Sequence, residues 1–329
     1  MEDINSLSNL NNINNIDNSL NNFDNIGNFN ISLKNPIHTL NYHKKSIFCL
    51  SVLNDGRLIS GSEDNSIIIY NKTTYQPDLI INEYNNFIKC IIQLSSGILA
   101  TCSEDKIIKL FNIKGNNYNI IQTLNDHTDC INKITEIENK YLVSCSNDKS
   151  IIFYLKDNLK YKKDYKISLD GTCYIISQIK KNEICYSVTY DYNFNNNKIC
   201  FYDINERKNK SSISNISKSD LSPLIMISKD LLFVSGKNKI TIININYYEI
   251  TREIELSNSG WIHGACMLNK NILFTGDQKG IIIEWKIEED NLILISKKEN
   301  AHNKCIFSLL NIGNGHIATG SADKSIKIW

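Results

Sequence analysis

Proline (3) and glycine (14) are scarce in this chain of 329 residues, while Asn, Ile and Lys dominate. AT-rich codons produce that bias without selection on the protein, so the abundance of Asn carries no functional sign. There is no C-x-x-C and no paired spacing among the ten cysteines, and the Met-Glu-Asp-Ile start has neither a basic n-region nor an apolar h-region. A reducing compartment, cytoplasm or nucleus, is therefore expected, and sequons such as Asn71-Lys-Thr73 are expected to stay unglycosylated. No uninterrupted apolar run approaches the roughly 18 to 20 residues of a membrane helix, so no membrane partner is expected. The formal charge is +1, which gives no general pull toward nucleic acid or acidic membranes. Lysine pairs (Lys44-Lys45, Lys162-Lys163, Lys180-Lys181) are spread out with acids between them and read as a solvated surface rather than a nucleic-acid groove. No G-x-x-x-x-G-K-[ST] loop is present, and no cofactor is expected.

What is present falls into two textures. Residues 1–34 are Asn-rich, with apolar residues spaced close to three, so on a helix their stripe would wind round the surface. This stretch reads as a disordered low-complexity leader, the alternative being a segment that folds on a partner. From Pro36 on, short Ile-rich runs alternate with polar turns. Four segments share one pattern: Ser60 to Tyr70, Thr101 to Phe111, Ser144 to Tyr154 and Thr319 to Trp329. Each has a strand end, a turn carrying an Asp (Asp64, Asp105, Asp148, Asp323) and an alternating strand that ends on an aromatic. Thr275 to Trp285 is a fifth copy, with Lys279 where Asp is expected. Two weaker copies lie between, one resuming at Phe201 after an insertion from Tyr192 to Lys198, the other running from Ser235 to Asn244 without the Asp. The step of roughly 40 to 45 residues suits a unit of four strands. The fourth strand falls between each aromatic end and the next unit, as at Leu79 to Ile81 or Ile250 to Leu256. The last unit shows only three strands, and Pro36 to Leu40 is the candidate for the missing one.

On these residues the chain resembles the WD40-repeat family. The resemblance implies an all-β fold: a seven-bladed β-propeller of four-stranded antiparallel blades over residues 35–329, its ring closed by an N-terminal strand. It also implies a structural turn network, which falls here on His43, Ser60 and Asp64, on His127, Ser144 and Asp148, and on His302, Thr319, Asp323 and Trp329. Tyr84 stands where the second unit would have His, so that unit and the fourth to sixth are expected to hold their turns with fewer polar bonds. His, Ser and Asp also make up a hydrolase triad, but their recurrence in three units points to structure, since one catalytic site needs them once. His127-x-x-Cys130 and His302-x-x-Cys305 supply two ligands each, short of the four of a structural zinc site, so no metal is expected.

The implied function is a non-enzymatic scaffold that binds other proteins or peptides on the propeller face. The alternatives are a substrate-recognition subunit of a ubiquitin ligase and an RNA-associated assembly factor. In the family, the residue before each first strand tends to point at that face. The positions here are Ser46, Phe87, Cys130, Cys173, Leu221, Trp261 and Cys305. Phe87 and Trp261 are the aromatic candidates for partner binding, against the plainer reading that they plug loops. Glu63 and Glu104, just before the turn Asp on adjacent units, would favour a basic or mixed basic and apolar peptide, and His263 would lie near the channel.

Overall fold

The computed structural model describes residues 33–190, 197–216, 221–256 and 260–329. The leader proposed for residues 1–34 lies outside them except for Leu33 and Lys34, as does most of the insertion between Tyr192 and Lys198. β-Branched side chains dominate the runs, and β-branched residues pack well on pleated surfaces covered on both sides. After β1 (His38–Leu40) the chain makes β2 (Ile47–Val52), β3 (Leu58–Ser62), β4 (Ile67–Tyr70) and β5 (Pro77–Ile81), the first blade. The second is β6 (Ile88–Gln93), β7 (Leu99–Ser103), β8 (Ile108–Lys114) and β9 (Asn117–Leu124). β10 (Ile131–Ile137), β11 (Tyr141–Ser146), β12 (Ser150–Asp157) and β13 (Lys160–Ser168) form the third. The fourth comprises β14 (Ile176–Lys180), β15 (Glu183–Val188), β16 (Lys198–Asp203) and β17 (Lys208–Ser214). β18 (Leu224–Met226), β19 (Leu231–Gly236), β20 (Lys239–Asn244) and β21 (Glu249–Glu255) form the fifth, and β22 (Ile262–Asn269), β23 (Ile272–Asp277), β24 (Ile282–Glu288) and β25 (Asn291–Lys298) the sixth.

The seventh blade is β26 (Ile306–Gly313), β27 (His316–Ser321) and β28 (Ile326–Ile328), completed by β1 from the other end of the sequence. The pairing is antiparallel, His38 opposite Ile328, Thr39 opposite Lys327 and Leu40 opposite Ile326. The Ile37 amide adds a bond of 2.7 Å to the Ile328 carbonyl. Packing reaches further upstream: Leu33 is buried with Trp329 and Ile306, and Lys298 Nζ donates to the Lys34 carbonyl at 2.6 Å.

Within each blade the middle strands are buried on both faces, whereas outer strands such as β21 are exposed along most of their length. First strands of neighbouring blades touch one another and line the centre of the ring. Each apolar layer is shared by two blades, as where Cys90, Ala100 and Leu110 of the second meet Ile131, Ile134 and Ile152 of the third. Outer strands are longer than their apolar cores suggest, β13 beginning at Lys160 and β25 at Asn291, because polar residues at their exposed ends still pair. Among the described residues no helix is long and apolar enough to cross a membrane.

Candidate functional site

A polar network fixes the loops of the face. In the first blade, His43 Nδ1 lies 3.0 Å from Asp64 Oδ2 and Nε2 lies 2.7 Å from Ser60 Oγ. In the third, His127 is 2.8 Å from Asp148 and 2.7 Å from Ser144, and in the seventh His302 is 2.9 Å from Asp323 and 2.7 Å from Thr319. A carboxylate only accepts, so Nδ1–H donates to Asp and Nε2 accepts from the hydroxyl. The hydroxyl accepts in turn: Trp329 Nε1 donates to Thr319 Oγ1 at 3.0 Å, and the Tyr70 hydroxyl lies 3.1 Å from Ser60 Oγ. Each Asp also takes the amide after the His (Lys44, Thr128, Asn303) and a hydroxyl two residues on (Ser66, Ser150, Ser325), tying loop to turn.

These distances are those of a Ser-His-Asp triad, but the would-be nucleophiles Ser60, Ser144 and Thr319 are each 0% exposed and closed to any substrate. Both nitrogens of His127 and His302 are occupied, so the His-x-x-Cys pairs have no imidazole to offer a metal. Among the described residues no group of three or more His, Cys, Asp or Glu could hold one.

Burial pushes the carboxyls of Asp64, Asp148 and Asp323 up, but the hydrogen bonds from His and Ser outweigh it and hold all three well below the usual carboxylate range. Burial lowers His302, with Asp323 opposing. Both shifts act in one direction. A His whose folded value lies below its unfolded 6.5 favours unfolding as pH drops past that value, and depressed aspartates lose their contribution below about 4. The melting temperature is therefore expected to fall in two stages as pH is lowered from 7 to 3, the first between pH 6.5 and 5. A His302→Gln variant should lose the His302 share of the first stage, and an unchanged profile would contradict the assignment.

Two blades reach the same end differently. In the second, the Tyr84 hydroxyl meets Thr101 Oγ1 directly at 2.5 Å and accepts from the Lys109 amide, while Asp105 takes long contacts from the Asn85 amide at 3.4 Å and the Ile107 amide at 3.3 Å. In the sixth, where Lys279 replaces the turn Asp, Asp277 two residues earlier accepts the Lys279 and Ile281 amides, both at 2.9 Å. The sixth turn is thus held with fewer polar bonds than those of the first, third and seventh blades, as expected, and by an Asp on the strand side. Its left-handed turn position, filled by Asn65, Lys106, Lys149 and Lys324 elsewhere, is Gly280, and a Cβ there would lie 2.2 Å from the His302 carbonyl oxygen.

The amide of the residue before each turn Asp bonds the carbonyl ahead of the first strand: Glu63 to Ser46 (2.8 Å), Glu104 to Phe87 (3.0 Å), Asn147 to Cys130 (2.9 Å) and Ala322 to Cys305 (2.8 Å). Gln278 does the same to Trp261 at 2.8 Å. Turn residues and pre-strand residues thus share one end of the ring. Of the seven aligned positions, Ser46, Phe87, Trp261 and Cys305 are partly exposed and Cys130, Cys173 and Leu221 are buried. Cys173 and Leu221 lie three residues ahead of β14 and β18, not one, because those inner strands start late; Thr172 first makes an isolated bridge to Thr189.

Five inner strands carry a bulge at their second residue, where the register skips Phe48, Lys89, Asn132, His263 and Phe307. A bulge re-aims the side chain it leaves unpaired. The Phe87 ring lies 6.0 Å from Phe48, Phe48 4.8 Å from Phe307, Phe307 5.6 Å from His263, and His263 5.9 Å from Trp261, in tilted or edge-on contacts. The two aromatic candidates read from the sequence are thus the ends of one arc across the sixth, seventh, first and second blades. All five rings are partly exposed. Burial lowers His263, against a smaller pull from Asp277, so its ring is neutral at neutral pH. Lys89 Nζ sits 4.9 Å from the Phe48 ring, and Lys45 Nζ 5.6 Å from Phe87 and 3.9 Å from Glu63. Glu63, Phe87 and Glu104 therefore lie together at one end, with Trp261 at the other. Phe48, Phe307 and Lys89 were not singled out from the sequence. Their recurrence as the second residue of each first strand was the available signal.

The family model described as WD domain, G-beta repeat (WD40), matches residues 34–71, 118–154 and 295–329. These spans hold the third strands of the blades with a complete His, Asp and hydroxyl network. No curated protein matches the chain.

Proposed function

From the premise that the chain is a WD40-repeat propeller, a fold that generally serves as a protein-interaction scaffold, we propose that it binds a basic and apolar segment of a partner protein across the aromatic arc at the channel mouth. The arc carries the reading: Phe87, Phe48, Phe307, His263 and Trp261 form a continuous, partly exposed aromatic surface on a rigid ring. Aromatic side chains at an interface centre are the usual energetic anchors, and held rings lose little entropy on binding. Glu63 and Glu104 supply the acidic end. Lys45 is engaged with Glu63, so the charge at this end is mixed, which favours a protein segment over an RNA backbone.

Reversing both acids (Glu63→Lys, Glu104→Lys) leaves the backbone bonds of those residues in place. Partners captured by the intact protein are expected to leave this variant at lower salt, with affinity reduced about tenfold. Elution at the same salt from both proteins would remove the acidic half of the reading.

A further inference from the structure

The outer strand of the sixth blade, β25, differs from the other open edges of the ring. Six outer strands carry a bulge that leaves one residue unpaired: Asp78, Ile121, Asp164, Lys210, Thr251 and, in β25, Ile295. Bulges and charged side chains are the usual devices that keep an edge from pairing with another chain. β13 and β21 use both, with lysines along the one and Glu and Arg along the other. Ile121 is partly buried against its neighbours, so its bulge exposes little apolar surface. In β25, by contrast, Ile293, Leu294 and Ile295 are 40%, 52% and 47% exposed in succession, and nothing from Leu292 to Ser296 is charged. No other run of three exposed large apolar residues occurs among the described residues. An edge of this kind needs a cover.

We propose that the segment just ahead of Leu33 in the same chain is that cover, laid along β25 with Phe29 and Ile31 over its exposed isoleucines. The described chain begins beside this edge. Lys298, the last residue of β25, donates to the Lys34 carbonyl, and Leu33 is buried in the same apolar cluster as Ile282, the register partner of Lys298. A segment leading into Lys34 along β25 runs parallel to it, and both advance by about 3.3 Å per residue. Counting back from the contact between Lys34 and Lys298 brings Ile31 level with Ile295 and Phe29 level with Ile293. Phe29, Ile31 and Leu33 alternate with Asn28, Asn30 and Ser32, the period of a half-buried strand, and the burial of Leu33 sets which side turns inward. Residues 25–33 carry no charge, as suits an uncharged edge. A second copy of the chain can offer a strand to the same edge, but a tethered segment meets it at an effective concentration on the order of millimolar. The chain's own segment therefore prevails at ordinary protein concentrations.

Amide hydrogen exchange tests the cover on the purified protein, on a form lacking residues 1–32 and on the Phe29→Asp, Ile31→Asp variant of the full chain. In both altered proteins the amides of β25 are expected to exchange at least about tenfold faster than in the intact one. Those of β21, the polar outer strand of the fifth blade, should keep their rates and so report that the ring remains folded. In the intact protein the protection of β25 should not change with protein concentration. Equal exchange at β25 in all three proteins would overturn the proposal. Protection that disappears on dilution would also overturn it, by giving the edge to a second copy, and faster exchange in the truncated form alone would remove Phe29 and Ile31 from the edge.

Discussion

Deleting residues 36–40 lowers the melting temperature of the protein by roughly 10 °C and makes it aggregate on heating. The strand β1 is short, but its position makes it costly to lose. It is the outer strand of the seventh blade, so its removal leaves β28 as an open edge. An edge of the Ile326-Lys327-Ile328 kind, two buried isoleucines about a single lysine, is a template for pairing with other chains. Leu40 also leaves a buried position among Ile47, Leu50, Tyr70 and Ile328, opening the layer shared by the seventh and first blades. A buried leucine contributes about 2 kcal/mol and each ladder bond about 1 kcal/mol, so the strand as a whole stabilises the ring by roughly 5 kcal/mol. The effect reaches beyond the blade, because this is the one sheet that joins the two ends of the described chain. A melting curve unchanged by the deletion would contradict the closure.

The architecture was legible because it repeats. An aromatic that ends a strand, an Asp in the preceding turn and a His upstream recur at matched positions, and the same count shows a last blade one strand short. The closing strand followed from that deficit and from the place of Pro36 to Leu40 ahead of the first blade. The site was legible only in its ends. Phe87 and Trp261 stand immediately before inner strands, where alignment finds them. Phe48, His263 and Phe307 link them only because a bulge turns each side chain out of the pleat, and a bulge is a property of paired strands. In the one-dimensional pattern, Ile47-Phe48-Cys49 and Ile88-Lys89-Cys90 are ordinary strand starts. Asp277 escaped for a related reason. It reaches the sixth turn from the strand side, two residues from the position that holds Asp in other blades, and only the folded turn shows that it takes the Ile281 amide as the turn Asp takes the Ser66 amide in the first blade.

The arc is the part of the surface on which the functional reading stands, and removing its two ends is the largest change in binding that can be made without touching the polar network. Phe87 and Trp261 are fixed through their carbonyls, to the amides of Glu104 and Gln278, and alanine leaves those bonds intact. The side chains, by contrast, carry the exposed ring surface. Truncating a central aromatic anchor commonly costs about 2 kcal/mol or more, so the Phe87→Ala, Trp261→Ala double variant should bind its partners at least about a hundredfold more weakly if the two losses add. Tyr247, 73% exposed in the turn between β20 and β21, gives a control of equal chemistry away from the arc. The decisive measurement is capture of partners from a cell extract by the intact protein, the double variant and Tyr247→Ala, with melting curves taken on all three. The account predicts partners held by the intact protein and by Tyr247→Ala and lost from the double variant, at nearly equal melting temperatures. Recovery of the same partners in the same amounts by all three would contradict it.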